Sequence, residues 1–156
     1  MDLHPENVQD YPRPPALEPV PQTIRIVLAG EVILNTDTAW RVLETHHAPT
    51  YYVPRDALKA EVIPAEGSSF CEWKGRAKYW SLSVAGKTFD KIAWSYEAPT
   101  PRFHTIKSHL AFYVSRLDSA WVGSAQATAQ PGDFYGGWVT PNLQGMIKGG
   151  PGTRHW

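Results

Sequence analysis

The stretch Arg76-Ala77-Lys78-Tyr79-Trp80-Ser81-Leu82-Ser83-Val84 alternates cleanly, with Lys78, Trp80, Leu82 and Val84 on one side and Ala77, Tyr79, Ser81 and Ser83 on the other. A period of two sends successive side chains to opposite faces of a strand. Ala85-Gly86-Lys87 then turns the chain, and Ile92, Trp94 and Tyr96 share a face of the next strand, which Pro99 and Pro101 end. Upstream, Ile24, Ile26 and Leu28 alternate with Arg25 before Ala29-Gly30 turns into Glu31-Val32-Ile33-Leu34, a hairpin signal. From Asp37 to Thr45, a Thr36-Asp37 helix cap competes with the alternation of Trp40, Val42 and Glu44. The Trp, Val and Thr content favours a strand. Tyr51-Tyr52-Val53 before Pro54 reads as a short strand, Arg55 to Lys59 as one helical turn, and Leu110, Phe112 and Val114 as the last strand. Strands at such spacing, with proline and glycine turns and no long helical period, predict a compact, mainly antiparallel β domain with little helix.

Outside that pattern lie two arms. Residues 1–21 hold six prolines and a charge of −3, from Asp2, Glu6, Asp10 and Glu18 against Arg13. Proline fixes φ and removes a donor, so this arm is expected to run extended, either free or anchored along the domain by Tyr11 and Leu17. The β domain is assigned to 22–128 and a C-terminal extension to 129–156. Residues 131–156 hold seven glycines, three prolines and the rings Phe134, Tyr135, Trp138 and Trp156. So many rings predict that the extension packs on the domain or on a second subunit, which makes a homo-oligomer through the arms an open expectation.

The 156 residues suit a single domain, and 15 basic against 15 acidic side chains give no net charge. A protein held on nucleic acid by phosphate contacts needs a basic surplus, so no nucleic-acid partner is expected. The single cysteine, Cys71, forbids an internal disulfide and any zinc site built on paired CxxC motifs, and points to a reducing compartment. Met1 to Glu6 lack the basic and apolar regions of a signal peptide, and the best apolar run, Ile24 to Ala29, contains Arg25. A cytoplasmic protein with no membrane partner is the expectation.

The chemistry concentrates in Cys71-Glu72-Trp73-Lys74-Gly75-Arg76-Ala77. Gly75 lets the backbone take a positive φ or approach a ligand, and Lys74 offers a point charge for a phosphate or carboxylate. Arg76 and Lys78 add positive charge at the same strand end; solvated cations at a bulged strand entrance are the plainer account. Cys71 is a nucleophile if Lys74 lowers its pKa, or else a small core residue. Glu44 shares the face of Trp40 and Val42, where desolvation would suit a general base, unless it points into water or pairs with a cation. His46 and His47 point in opposite directions on an extended chain, so at most one can join Glu44; His104 and His109 lie near the expected last strand. Their spacing matches no known metal site, and no metal-binding residues are assigned. Tyr51, Tyr52, Trp73, Tyr79, Trp94, Tyr96 and Tyr113 are core rings by default. A pocket walled by Tyr52, Tyr79, Trp94 and Tyr96 near Lys74 would hold a flat or anionic molecule. Gly145-x-x-Lys148-Gly149-Gly150-Pro151-Gly152 lacks the Ser or Thr and the helix of a phosphate loop, so glycine turns explain it better.

Four blocks in register, residues 44–54, 71–79, Ala93 to Pro99 and Ala111-Phe112-Tyr113, resemble the bacterial and fungal family known as domain of unknown function 427, over roughly residues 24–116. The resemblance implies Mss4-like, tent-shaped sheets. Relatives of that wider fold hold zinc through two CxxC pairs, which one cysteine cannot supply. Its members' nucleotidyltransferase label implies nucleotidyl transfer, which would require a divalent metal. The leading expectation is a small-molecule site, for a nucleotide or another anion, at the Cys71–Gly75 strand entrance. Glu44 and Lys74 are its catalytic candidates, and Tyr52, Cys71, Trp73, Gly75, Arg76, Tyr79, Trp94 and Tyr96 its binding candidates. The alternative is a non-catalytic interaction module with an aromatic surface.

Overall fold

The computed structural model describes residues 3–132 and 135–149. Phe134, Trp156 and the Gly150-Pro151-Gly152 end of the glycine-rich stretch therefore lie outside the described residues. In chain order the strands are β1 (Glu6–Asn7), β2 (Ala16–Pro19), β3 (Ile24–Leu28), β4 (Glu31–Thr36), β5 (Trp40–Leu43) and β6 (Thr50–Tyr52). Three long strands follow: β7 (Glu61–Cys71), β8 (Gly75–Val84) and β9 (Lys87–Tyr96). Short ones complete the set: β10 (Ala111–Phe112), β11 (Ser119–Val122), β12 (Ala125–Gln126), β13 (Thr128–Ala129), β14 (Trp138–Val139) and β15 (Leu143–Gln144). The helical pieces among the described residues are short 3₁₀ turns, one of them at Arg55–Ala57. None is long and apolar enough to cross a membrane.

The order β10-β9-β8-β7 makes one antiparallel sheet and β12-β11-β3-β4 another, while β2-β5-β6 forms a smaller third. Both expected hairpins close on two-residue Ala-Gly turns, with Ala29 and Gly30 at φ 53° and 76° and Ala85 and Gly86 at 52° and 75°. Positive φ at both central residues gives the turn whose twist matches that of the flanking strands. The strand expected near Asp37 to Thr45 forms as Trp40–Leu43.

Two features differ from the sequence reading. β7 runs for 11 residues although it contains Pro64 and Gly67, because it sits at the sheet edge and its pairing with β8 slips between Pro64 and Ser68. An edge strand tolerates a residue without a ladder donor. The expected last strand shrinks to Ala111–Phe112, since Val114 opens a 3₁₀ turn, and β11 and β12 follow it.

The alternation in β8 sorts its side chains between two cores. Trp80, Leu82 and Val84 join Ile24, Ile26, Leu28, Ile33 and Leu34 in an aliphatic cluster. Ala77 and the half-buried Tyr79 belong with Tyr52, Trp94, Tyr96, Phe103 and Ile106. Ile92 parts from Trp94 and Tyr96 and joins the first cluster, next to Lys91 at φ 46° and a register shift between Trp80 and Leu82. A third, small cluster packs Val8, Tyr11 and Leu43 against Leu143 and Ile147. There β1 pairs in parallel with β15, and β2 pairs with β5. Arg41 donates to Glu6 at 2.8 and 2.9 Å and to Glu18 at 2.6 Å, and Tyr11 donates to Glu6 at 2.6 Å. Burial pulls the Glu6 carboxyl upward, but these hydrogen bonds outweigh it and hold Glu6 below its ordinary value.

Candidate functional site

On the ring-bearing side of β8 and β9 lies a cavity of about 210 Å³. Cross-strand pairing sets its floor: Tyr79 opposes Trp94 and Ala77 opposes Tyr96, so all four share one face. Tyr52 of β6 faces Tyr96 with ring centroids 6.4 Å apart, and Tyr113 leans on Trp94 at 4.5 Å. The β7–β8 hairpin brings Ser69, Phe70, Cys71 and Lys74 to the rim. Cys71 pairs with Gly75 across the turn, and Gly75 takes φ 111°, a backbone that residues with a Cβ rarely adopt. Thr100 pins the turn, its backbone N–H donating to Lys74 O at 3.1 Å and its hydroxyl to Trp73 O at 2.7 Å.

Lys74 is only 9 % exposed. Its Nζ stands 5.8 Å from the ring centres of both Tyr96 and Phe103, within cation–π range. Among the described residues it has no carboxylate within ion-pair distance. The phenols around it stay protonated at neutral pH. Burial raises Tyr52 and Tyr96, and burial with the neighbouring Tyr79 pushes Tyr113 up to about 12. These groups therefore donate hydrogen bonds and do not act as bases.

His47 also lines the cavity, edge-on to Tyr135 at 5.0 Å. Burial, helped by Lys148, Lys74 and Arg13, lowers its pKa to about 4, so the imidazole is neutral at pH 7. Glu44 stands behind it, with Oε2 3.8 Å from His47 Nε2 and 3.8 Å from Arg13 Nε. The last wall comes from Gln130, Tyr135, Gly136 and Gly137. Trp138 anchors it, fully buried, donating its backbone N–H to Pro49 O at 2.8 Å and its indole N–H to Phe112 O at 3.0 Å. Gly136 lies so close to the Trp94 ring that a Cβ there would sit 1.9 Å from Cη2.

Of the residues expected at the site, Lys74, Tyr52, Cys71, Tyr79, Trp94 and Tyr96 converge on the cavity. Glu44 lies behind His47. Trp73 contributes its carbonyl to the hairpin turn, and Gly75 shapes that turn. Arg76 is exposed and donates to Ser68 Oγ at 3.1 Å. Lys78 is also exposed, its Nζ 4.4 Å from the Trp80 ring. The sequence reading did not single out Gln130, Gly136, Gly137, Ser69, Thr50 or Phe70. Only His47 carried a readable signal, standing in the second half of the His46-His47 pair.

Among the described residues, no group of three His, Cys, Asp or Glu side chains converges to hold a metal ion, and no carboxylate lines the cavity. Divalent magnesium and its relatives take oxygen ligands, so these residues do not fit the ion that nucleotidyl transfer would use.

A family model described as domain of unknown function (DUF427), with the short name NTP_transf_9, matches residues 16–123, and the chain belongs to that family. No curated protein matches the chain.

Proposed function

We propose that this member of the DUF427 family binds a small anionic molecule in the cavity, with Lys74 as the charge partner. The observation that carries the reading is a lysine only 9 % exposed on the cavity wall, with no carboxylate within ion-pair distance among the described residues. Holding a charge against apolar rings without a counter-charge costs free energy, and the cation–π contacts with Tyr96 and Phe103 offset part of it. An anion bound beside Lys74 would complete the pairing. The phenols of Tyr52 and Tyr96, kept neutral by burial, supply hydrogen bonds, and Trp94 with Tyr113 offers a ring-lined apolar wall. At about 210 Å³ the cavity is smaller than the roughly 300–1,000 Å³ usual for drug-sized ligands, which favours a compact anion over a nucleoside triphosphate. The carboxylate-poor walls weigh against metal-dependent nucleotidyl transfer as the chemistry. Glu44 stays outside the cavity lining, 3.8 Å from His47 Nε2, and takes no direct part in this reading.

Thermal melting of the wild type and Lys74→Ala against nucleotides, inorganic phosphate and small carboxylates, with and without Mg²⁺, tests this reading. A ligand at a hundred times its Kd contributes about 2.7 kcal/mol. For a chain of this size that raises Tm by roughly 5–10 °C. A metal-independent shift that disappears in Lys74→Ala is the expected result. A shift seen only with nucleotide plus Mg²⁺ would restore nucleotidyl transfer, and no shift with any anion would overturn the reading.

A further inference from the structure

The last wall of the Lys74 cavity is the loop of a hairpin that begins beyond residue 123, where the family match ends. Strands β13 and β14 pair Thr128 with Val139 and Ala129 with Trp138, and Gln130 N–H donates to Gly137 O at 3.0 Å, one step further along. The loop is tied to the matched domain at both ends. Trp138 holds Pro49 and Phe112, and Gln130 Oε1 accepts the Ala48 N–H at 3.2 Å. Between those ties the backbone runs through a slot: a Cβ at Gly136 would strike the Trp94 ring, and one at Gly137 would strike Gln130 Oε1 and the Ala48 carbonyl. A second cavity, of about 220 Å³, adjoins the first, and Tyr113, Gln130, Tyr135, Gly136 and Gly137 line both. These residues therefore partition two spaces, each smaller than the roughly 300–1,000 Å³ of an ordinary ligand pocket. Within the described part of the loop Tyr135 supplies the bulk of the partition, its ring edge-on to His47 at 5.0 Å and 5.4 Å from Lys148 Nζ.

We infer that Tyr135 is a specificity-determining residue whose ring closes the Lys74 cavity toward the neighbouring space, so that the site takes compact anions and shuts out nucleotides and other bulky ones. The inference rests on the anion-binding reading above and adds the element that sets its size limit. Lys74 and the rings of Tyr52, Trp94 and Tyr96 lie within the family-matched residues, so recognition of charge belongs to the domain and the size limit to the hairpin beyond it. A wall discriminates by steric cost, since a bulky ligand enters only by displacing groups that Trp138 and Gln130 hold in place. Truncating the ring joins the two spaces. The bulk of a larger anion then has room while its charged head stays beside Lys74.

Calorimetric titrations test this with two pairs of probes that share a head and differ in bulk: methyl phosphate with adenosine 5′-monophosphate, and acetate with N-acetyltryptophan. The proteins are the wild-type chain, Tyr135→Ala, Tyr135→Leu, Tyr135→Phe and Lys74→Ala, all without Mg²⁺. In the pair whose compact member binds, the wild type should favour that member by at least about tenfold. Tyr135→Ala should lower the ratio by at least about fivefold, and Tyr135→Phe, which keeps the ring, should retain it. Tyr135→Leu, a milder truncation, should lower the ratio as well and carries the test if Tyr135→Ala does not fold. A merely structural tyrosine would weaken both members of a pair together and leave the ratio unchanged in both truncations, which overturns the inference. It is also overturned if the wild type binds the bulky member as tightly as the compact one, or if Tyr135→Phe loses selectivity as fully as Tyr135→Ala. Neither compact probe binding while other anions give Lys74-dependent melting shifts would overturn this inference alone. No Lys74-dependent binding of any anion would overturn the site reading itself.

Discussion

Strand β8 contributes to two surroundings that differ in kind. Trp80, Leu82 and Val84 enter a cluster dominated by Ile, Leu and Val side chains, most of them wholly buried, whose two indoles at Trp80 and Trp138 are satisfied by Ser95 and Phe112. Ala77 and Tyr79 enter a cluster of rings with polar tips, which leaves a cavity and holds a nearly buried lysine. Aliphatic side chains interdigitate to close packing because nothing but shape constrains them. Rings that carry hydroxyl or indole N–H groups must also satisfy those groups, and the space they enclose suits a polar guest. The first cluster is built for stability; the second retains a charge that stability alone would not keep.

The sharpest way to break that contrast is to truncate each side. Leu82→Ala, in the closed cluster, should cost about 3 kcal/mol and lower Tm by roughly 6–12 °C in a denaturation experiment. A cost under 1 kcal/mol would mean that the aliphatic side is loosely packed. Gly136→Ala forces a methyl into the Trp94 ring and should cost about 1–3 kcal/mol, with weaker anion binding, because the extension must withdraw from the cavity. Unchanged stability and binding would detach the extension from the site.

His47 gives the cavity side a pH signature. Its folded pKa, about 4, lies below the ordinary 6.5, so the unfolded chain binds more protons between those values. Its contribution is therefore present above pH 6.5 and is lost as pH falls from about 6.5 to 4, by on the order of 3 kcal/mol. Melting curves across that window should show the slope in the wild type and a flatter response in His47→Gln; equal slopes would place His47 in water. The smallest effect is expected from Glu44→Gln. Its ion pair with Arg13 and its contact with the neutral His47 are each 3.8 Å long and partly exposed, so the change should cost less than about 1 kcal/mol and alter anion affinity little. A large loss of affinity would return Glu44 to a direct part in the chemistry.

The legible parts of the molecule were those in which local pattern and tertiary role agree. The alternation of β8 and the Ala-Gly turns could be read directly, since a strand period and a turn are local properties. β7 was not, because Pro64 and Gly67 speak against a strand unless the sheet edge is known. At the site, Lys74 and the rings of Tyr52, Trp94 and Tyr96 stood out by residue type and by their nearness to the Cys71–Gly75 hairpin. Gln130 and Gly136 did not. One is an ordinary amide and the other one glycine among several, and their roles come from distant partners, Ala48 and His47 for one and Trp94 for the other. Glu44 read as a carboxylate on an apolar strand face, but β5 ends at Leu43 and Glu44 lies outside the cavity lining, 3.8 Å from His47 Nε2.

Lys74→Met tests the central claim most directly, because methionine keeps much of the side-chain volume and removes only the charge. Stability and anion affinity would be measured on the same preparation, by denaturation and by calorimetry with the anion that gives the largest melting shift. The account predicts stability equal to or above wild type, since a charge without a carboxylate partner on a mostly buried side chain is gone, together with at least about a tenfold loss of affinity. Reduced stability with unchanged affinity would show that Lys74 holds the fold together and that the cavity has no anion site built around it.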